Sequence, residues 1–401
     1  MLRNATRKHR ETAIQMIRLN RNVCRALLLA AALGAASVDA RAVMQAPASR
    51  NDTVEATRDR GAPLGDVVIF DDVSGGYDTS DYAKWSRNSW TCRSTTDTST
   101  GACATQPAWQ LGGGSTVIKL SFKEAKTGAT AVLNLQGLAW SVFHRDCNNN
   151  LIQAHKGVQK AIEIATSSYW LHCPGIGSDG TVLSVTIPAA ELKKLPSGGE
   201  WNANLALNLR AWERTTLPTL AVFEAAIKLN VTDKNNIQVY LPEFTTATPV
   251  VDLKLRTLPN GSRMAGTANV DMCLYDGYNS QSTWFDVSAT DGLTIDRRDK
   301  GRYSVLLDAD RSGAYASRVD YNVSLTYAGK KIDLRNNETV RLQGVNNSAG
   351  RSVSLPGISV PVVCTPTPLT LETPEFQSVW KRPGTYSNKL TIMFTPSSAG
   401  L

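Results

Sequence analysis

The sequence lacks the motifs that identify the common enzyme classes. It contains no GxSxG, HExxH or P-loop pattern, and no pair of carboxylates stands in a recognisable catalytic context. Histidine is scarce as well, since only three of the four histidines lie beyond residue 40. These absences argue against catalysis and leave a secreted enzyme with an unrecognised catalytic site as the less favoured alternative.

Long apolar runs are also lacking. The stretch 26–36 (ALLLAAALGAA) follows several basic residues and precedes Val38 and Ala40, which are spaced as in a small-residue cleavage site. It is too short to cross a bilayer, which takes about 20 residues. We therefore predict a secretory signal peptide over residues 1–40, with Met16 as an alternative start, and an exported, soluble mature chain.

The positive charge belongs mostly to this leader. The whole chain carries a formal net charge of +8, but residues 1–40 hold seven basic and two acidic residues, which leaves +3 for residues 41–401. A balance this small does not indicate a nucleic-acid partner. None is expected.

Six cysteines remain once the leader and its Cys24 are removed. An even number in an exported chain predicts three disulfides, although six cysteines allow 15 connectivities. Spacing favours bonds between neighbours. The expected pairs are Cys92 with Cys103, Cys147 with Cys173, and Cys273 with Cys364.

Two metal-binding interpretations compete with this scheme and are less favoured. His144 with Cys147 and His172 with Cys173 could form a Cys2His2 site, but their spacing does not match the usual zinc patterns. The run 308–313 (DADRSG) begins like a calcium loop, yet its twelfth position is Val319 instead of glutamate. We expect a polar turn there, and no metal or other cofactor.

The apolar residues alternate with a period of two, which is typical of strands with one buried face. The pattern is clearest in 116–123 (TVIKLSFK) and 201–212 (WNANLALNLRAW), and it recurs near the end of the chain. Helical signals are scarce: only 188–195 (PAAELKKL) predicts a helix, of two turns, with Pro188 at its first position. The fold class is therefore all-β, built from β-sandwiches.

A mature chain of 361 residues exceeds one ordinary core and predicts two domains. The proline- and threonine-rich segment 241–249 (LPEFTTATP) interrupts the strand pattern and is the expected boundary region. We assign the first domain to residues 41–245, with 41–80 the most weakly assigned part, and the second to residues 246–401.

Several motifs resemble a known family. Three of them, VDMCLYDGYNSQS (270–282), SVSLPGISVPVVC (352–364) and PGTYSNKLTIMFTPSSAGL (383–401), are similar to the pilin-domain signatures of CfaE/CblD-like tip minor pilins of alternate chaperone-usher pili. Two more, AAELKKLPSGGEWNANLALNLR (189–210) and VTDKNNIQVYLPEF (231–244), look like the end of that family's adhesin domain and its linker. The resemblance covers most of residues 80–401.

The resemblance implies two immunoglobulin-like domains: an N-terminal adhesin domain and a C-terminal pilin domain that lacks its last strand. A periplasmic chaperone and then the major pilin would fill the gap, after passage through an outer-membrane usher, and the protein would sit at the pilus tip on the cell surface. Leu390, Ile392 and Phe394 alternate along the final strand, after which only TPSSAGL follows. These three are the candidate groove residues.

The resemblance also implies a receptor site, because relatives bind through a cluster of arginines on the adhesin domain. Arg87 matches the first of these. The adjacent pair is replaced by Ala211 and Trp212, flanked by Arg210 and Arg214. Guanidinium groups suit carboxylates and Trp212 suits a sugar ring, so an acidic host glycan is the expected receptor. A structural initiator without receptor binding is the alternative.

Overall fold

The computed structural model describes residues 44–401 except 82–83, 111–112, 146–147, 149–150, 154–155, 158, 166–177, 213–216, 247 and 260. The expected signal peptide lies outside the described residues. Met44–Gln45 forms a two-residue strand, β1, and Ala46–Leu401 forms one compact unit. Across the described ranges, no helix has the length and hydrophobicity needed to span a membrane.

The first domain is a curled β-sheet with little helix. Its strands are β2 (Arg50–Asp59), β3 (Val67–Asp78), β4 (Ser89–Cys92), β5 (Thr116–Glu124), β6 (Thr130–Arg145), β7 (Leu151–Gln153), β8 (Gln159–Lys160), β9 (Ser178–Ile187), β10 (Gly199–Arg210) and β11 (Thr219–Thr232). The main path is β3-β9-β6-β5-β10-β11-β2, with β4 beside β10, and β7 and β8 beside β6. These neighbours are antiparallel except β2, which runs parallel to β11.

The predicted alternation determines which face of this sheet is buried. Along β5, Ile118, Leu120 and Phe122 are buried while Lys119 is exposed, as a period of two requires. The same face of other strands supplies large aromatic residues to the core. The ring of Phe223 meets Phe70 and Trp90 edge-on, at centroid distances of 6.0 and 5.7 Å. The sheet thus curls around one hydrophobic core.

The predicted two-turn helix over 188–195 is wrong in length. The structure has one turn, α1 (Ala189–Leu192), and Pro188 is its N-cap with extended backbone. The first helical N–H donates to the Asp66 carboxylate at 2.8 Å. Leu195 is buried in the core immediately afterwards. The turn ends there because the chain has to enter β10.

The second domain is also built from strands. These are β12 (Gln238–Tyr240), β13 (Arg256–Thr257), β14 (Arg263–Val270), β15 (Cys273–Tyr275), β16 (Trp284–Thr290), β17 (Tyr303–Leu307), β18 (Arg318–Tyr327), β19 (Lys330–Asp333), β20 (Thr339–Gln343), β21 (Arg351–Val353), β22 (Val362–Pro366), β23 (Leu369–Gln377), β24 (Tyr386–Ser387) and β25 (Thr391–Pro396). Short 3-10 turns are η1 (Lys234–Asn236), η2 (Tyr315–Ser317), η3 (Val345–Asn347), η4 (Ser378–Trp380) and η5 (Ser397–Gly400).

These strands form three sheets around a second core. Their orders are β13-β14-β23-β18-β17-β24, with β19 beside β18, then β20-β16-β25, and β12-β15-β22-β21. The core draws Val270 from β14, Phe285 from β16 and Val323 from β18 into one cluster. Tyr303 is buried there and donates its hydroxyl to the Leu334 carbonyl at 2.8 Å. The expectation of an all-β chain with two domains is confirmed.

Two of the expected disulfides are present, Cys92–Cys103 and Cys273–Cys364. The second joins residues 91 positions apart, and closing a loop of that length contributes about 4 to 5 kcal/mol in the chain-entropy account. Cys147 and Cys173, the expected third pair, lie outside the described residues. Both sulfur atoms of Cys273–Cys364 are buried in a small cluster with Tyr275. The bond therefore ties β15 to β22.

The run 308–313 is a polar turn. Asp310 accepts hydrogen bonds from the Ser317 hydroxyl and the Ser312 backbone N–H, and it forms an ion pair with Arg382 at 2.8 Å. The hydrogen bonds from Ser317 and Ser312 lower the pKa of Asp310 to about 2. Its carboxylate is thus committed to the turn.

The loop 276–282, which follows β15, joins the two domains. The backbone N–H of Asp233 donates to the Gly277 carbonyl at 2.9 Å. Asn279 donates from its amide nitrogen to the Gly198 carbonyl at 2.7 Å. The side chain of Asp276 is buried and accepts N–H groups of its own loop. We call this region the domain junction.

We predict that Gly277→Ala disrupts the junction. Gly277 has φ of 67°, and a Cβ there would lie 2.3 Å from the Asp233 carbonyl oxygen. Gly292→Ala is a matched control, because Gly292 also has φ of 67° but nothing lies within 4 Å of its Cβ position. The control should cost about 1 to 2 kcal/mol, the left-handed penalty alone. Urea unfolding should show Gly277→Ala costing clearly more, and equal losses would contradict the prediction.

Candidate functional site

The expected receptor residues lie at the end of the first domain that is farthest from the junction. β10 begins at Gly199, beside the junction, and ends at Arg210. At about 3.3 Å per residue its two ends are roughly 36 Å apart. In the pairing of β4 with β10, Ser89 lies opposite Arg210. Because Arg87 shortly precedes β4 and Trp212 shortly follows β10, both residues belong to this far end.

Arg87 and Trp212 are linked by a third residue, Trp109. The guanidinium carbon of Arg87 is 5.3 Å from the centroid of the Trp109 ring, within cation–π range. The rings of Trp109 and Trp212 are 5.6 Å apart and tilted by 39°. Arg87 and Trp109 are exposed and Trp212 is half-buried. We call these three residues the Arg87 face.

Trp109 was not predicted from the sequence. It precedes the glycine-rich run at 112–114 and has no periodic pattern that would mark it as functional. Its position is nevertheless firmly held, because Ala108 donates to the Glu163 carbonyl and accepts from the Ala165 N–H, both at 2.9 Å. Trp109 is 49% exposed despite its size. An exposed tryptophan on a fixed backbone is a typical binding residue.

Arg210 is engaged within the first domain. Its Nη1 donates to the Leu217 carbonyl and to the Thr219 hydroxyl, each at 3.0 Å. Its Nε is buried and has no hydrogen-bond partner in the part of the chain that the structure describes. Arg210 therefore braces the start of β11 more than it presents a free guanidinium. Arg214 lies outside the described residues.

The chemistry of the Arg87 face combines one cation with two aromatic rings. A guanidinium provides paired donors for a carboxylate, and indole faces suit the apolar face of a sugar ring. Nothing in this arrangement resembles a catalytic or metal centre. Among the described residues, no group of three histidine, cysteine, aspartate or glutamate side chains is placed to hold a metal ion.

The candidate groove residues lie on β25, at the edge of a sheet. β25 pairs with β16 on one side, and no other described strand pairs with its second edge. Leu390, Ile392 and Phe394 are half-buried against the second core. The Phe394 ring packs edge-on against Phe285, with centroids 5.0 Å apart. β25 therefore has an apolar inner face beside an open backbone edge.

The segment 251–255 provides a second edge of the same kind. Val251 and Leu253 pack against the same core as β25, while Asp252 and Lys254 are exposed. The backbone of this segment crosses β14 closely, since a Cβ on Gly266 would lie 2.4 Å from the Leu253 carbonyl oxygen. The segment alternates like a strand but forms no ladder with the described strands. Unpaired backbone beside half-buried apolar residues is typical of a strand-accepting edge.

Comparison with known proteins was made on the whole chain. Residues 39–234 match the family model for the first domain of CfaE, a fimbrial protein of CFA/I, and residues 237–398 match the model for its second domain. A curated relative, the CFA/I fimbrial protein CfaE of Escherichia coli, is 31% identical over 364 residues. The alignment covers 88% of this chain and 93% of the relative.

Solved structures are similar as well. The crystal structure of CfaE, described as the adhesive subunit of CFA/I fimbria of enterotoxigenic Escherichia coli, superposes with a TM-score of 0.74 at 29% identity. The match covers 88% of this chain and 94% of that one. A structure described as a chaperone-tip adhesin complex of CFA/I fimbriae biogenesis has a TM-score of 0.65 at 29% identity, covering 88% and 98%.

We predict that two neighbouring residues of β25 differ sharply in their contribution to stability. Phe394→Ala removes a ring that packs on Phe285 and should cost about 2 to 3 kcal/mol, somewhat below the value for a fully buried ring. Met393 faces away from the core and is 53% exposed, so Met393→Ala should change stability by less than about 0.5 kcal/mol. Urea unfolding measures both. Similar losses would show that β25 has no buried face.

Proposed function

Because the chain belongs to the CfaE family of fimbrial proteins, we propose that it is the adhesive subunit at the tip of a chaperone-usher pilus. Its relatives are adhesive pilus subunits, and the chain is not an enzyme. In this proposal the protein is exported through the periplasm and remains on the cell surface. Its first domain binds a host receptor, and its second domain initiates the fibre.

The open edge of β25 is the observation that carries the assembly part of the proposal. The half-buried face of β25 and the unpaired segment 251–255 belong to one core, so an added strand would gain backbone partners and cover apolar side chains. Such strand addition is a recurring mode of peptide recognition. We infer that a chaperone supplies this strand first and that the N-terminal extension of the major pilin replaces it. The chaperone complex of a relative supports the first step.

The direction of β25 determines where the donor subunit lies. Its C-terminal end is at the junction, because the Ser398 hydroxyl donates to the Asp276 carbonyl at 2.8 Å. Its N-terminal end, Thr391, therefore points away from the first domain. The junction end is occupied, so the body of the next subunit has to lie beyond the other end. We call that other end of the second domain the distal pole.

The same geometry orients the donor strand. An extension that precedes its own globular body would begin near the junction and leave the groove at the distal pole. It would then run antiparallel to β25, which proceeds from Thr391 towards the junction. Antiparallel pairing matches the pairing that β25 already makes with β16. The proposed fibre therefore grows away from the Arg87 face.

Receptor binding is assigned to the Arg87 face. It lies at the free end of the first domain, roughly 36 Å from the junction along β10. Arg87 supplies a cation, and Trp109 and Trp212 supply stacking surfaces. A glycan that carries a carboxylate would use both kinds of contact. The hydrogen bonds that occupy Arg210 favour, as a second candidate, a structural initiator that binds no receptor.

We predict that a matched strand completes the second domain. Fusing the N-terminal extension of the cognate major pilin to Leu401 through a flexible linker should give a soluble monomer with a clearly raised melting temperature. Each large side chain that the strand covers contributes roughly 1.5 to 3 kcal/mol, and the linker provides a high effective concentration. A fusion carrying the scrambled extension is the control. If both fusions melt at the temperature of the unfused chain, the groove does not exist.

We predict that Arg87→Glu abolishes attachment to host cells without affecting folding or pilus assembly, since Arg87 is exposed and makes no bond that supports a strand. Lys123→Glu is the control, because it makes the same change of charge at an exposed position on β5. Cell adhesion and melting temperature should be measured on both variants. Full adhesion by Arg87→Glu would support the structural initiator instead.

A further inference from the structure

The second domain exposes a cluster of apolar and aromatic residues that the groove does not use. Tyr315 is 47% exposed, Val379 80% and Trp380 55%. The rings of Tyr315 and Trp380 are 6.3 Å apart. Large apolar residues that are exposed together on a soluble domain usually mark an interaction site. Tyrosine and tryptophan are also the residues most enriched at the centres of protein interfaces.

This cluster is located at the distal pole. Trp380 lies in η4, which directly follows the end of β23, and Tyr315 lies in η2, which directly precedes β18. The opposite ends of β23 and β18 lie at the junction side, where Thr367 donates its N–H to the Met272 carbonyl at 2.8 Å. The cluster and the first domain therefore occupy opposite ends of the second domain.

The surface is rigidly built. The N–H of Arg382 donates to the Ala316 carbonyl at 2.8 Å, which joins the segment after η4 to η2. The N–H of Ser378 donates to the Ser262 carbonyl at 2.9 Å, which joins η4 to the turn before β14. Lys381 donates from Nζ to the Tyr315 carbonyl at 2.6 Å. A surface held in place before binding loses little conformational entropy when it binds.

The cluster is framed by positive charge. The segments 254–263 and 375–389, which flank η4, contain six basic residues and one acidic residue. The Nζ of Lys381 lies 3.4 Å from the centroid of the Tyr315 ring. No carboxylate from the described ranges is within ion-pair distance of Lys381, and burial lowers the pKa of this group to about 8. A partner would complement this surface with carboxylates around an apolar side chain.

We propose that Tyr315, Val379, Trp380 and Lys381 form a docking surface for the globular body of the pilin subunit that follows this chain in the fibre. The inference rests on the proposed function, because the strand-accepting edge places that body beyond the distal pole. Docking would hold the body beside the groove before its extension enters. The extension would then insert at a high effective concentration, and fibre initiation would be faster than insertion of a free peptide.

The test compares two donors with the chaperone-bound protein. The first donor is the major pilin of the same pilus, with its own groove filled and its N-terminal extension intact. The second is that extension as a synthetic peptide. The measured quantity is the rate at which each donor replaces the chaperone. We expect Trp380→Ala and Lys381→Glu to slow the whole pilin about tenfold or more and to leave the peptide rate unchanged.

Matched variants separate docking from damage to the fold. Val379→Asp alters the most exposed residue of the surface and should slow the whole pilin in the same way. Trp109→Ala removes a tryptophan of similar exposure from the first domain, and Lys330→Glu reverses an exposed lysine on β19. Neither of these two controls should change either rate. Equal melting temperatures would show that all variants remain folded.

The outcomes distinguish the two proposals. If the peptide does not replace the chaperone in the unaltered protein, the proposed groove fails, and with it the premise of the docking surface. If the peptide exchanges but the whole pilin is equally fast in all variants, the docking surface alone is overturned. It is also overturned if Trp380→Ala and Lys381→Glu slow both donors equally. A defect confined to formation of the chaperone complex would assign the surface to the chaperone instead.

Discussion

The buried carboxylate of Asp276 is the interaction on which the arrangement of the two domains depends. Burial raises its pKa, and N–H and hydroxyl groups of its own loop act in the opposite direction. Leaving such a group without donors would be strongly destabilising, so the loop 276–282 has to fold around it. In that conformation Gly277 accepts from Asp233 and Asn279 donates to Gly198. A single satisfied acid thus positions the first domain against the second.

The junction also includes the strand that we propose accepts a partner. β25 leads directly into η5, where the Ser398 N–H donates to the Ser282 hydroxyl at 3.2 Å and Thr283 donates its N–H to the Ser397 hydroxyl at 2.9 Å. The C-terminal end of β25 is therefore held by the same loop that contacts the first domain. This attachment gives β25 one defined direction. It is the reason that the open edge leads away from the first domain.

The resulting molecule has a distinct role at each end. The Arg87 face combines a cation with two aromatic rings at the free end of the first domain, where no fibre contact interferes with it. The distal pole carries exposed aromatic residues framed by lysine and arginine. Between them lies a core that is closed around β16 but open along β25. An open edge is a hazard for a free monomer and becomes useful only when another chain covers it.

The sequence by itself determined the all-β class, the division into two domains and the family, because period-two burial, cysteine spacing and specific motifs are local properties that can be read along the chain. It did not determine that Trp109 meets Arg87, that Arg210 is engaged by Leu217 and Thr219, or that Asp276 is buried. It also overestimated the helix at 188–195. Only the tertiary structure decided these points, because they depend on the pairing of strands that are distant in sequence, and a strand pattern does not encode its own neighbour.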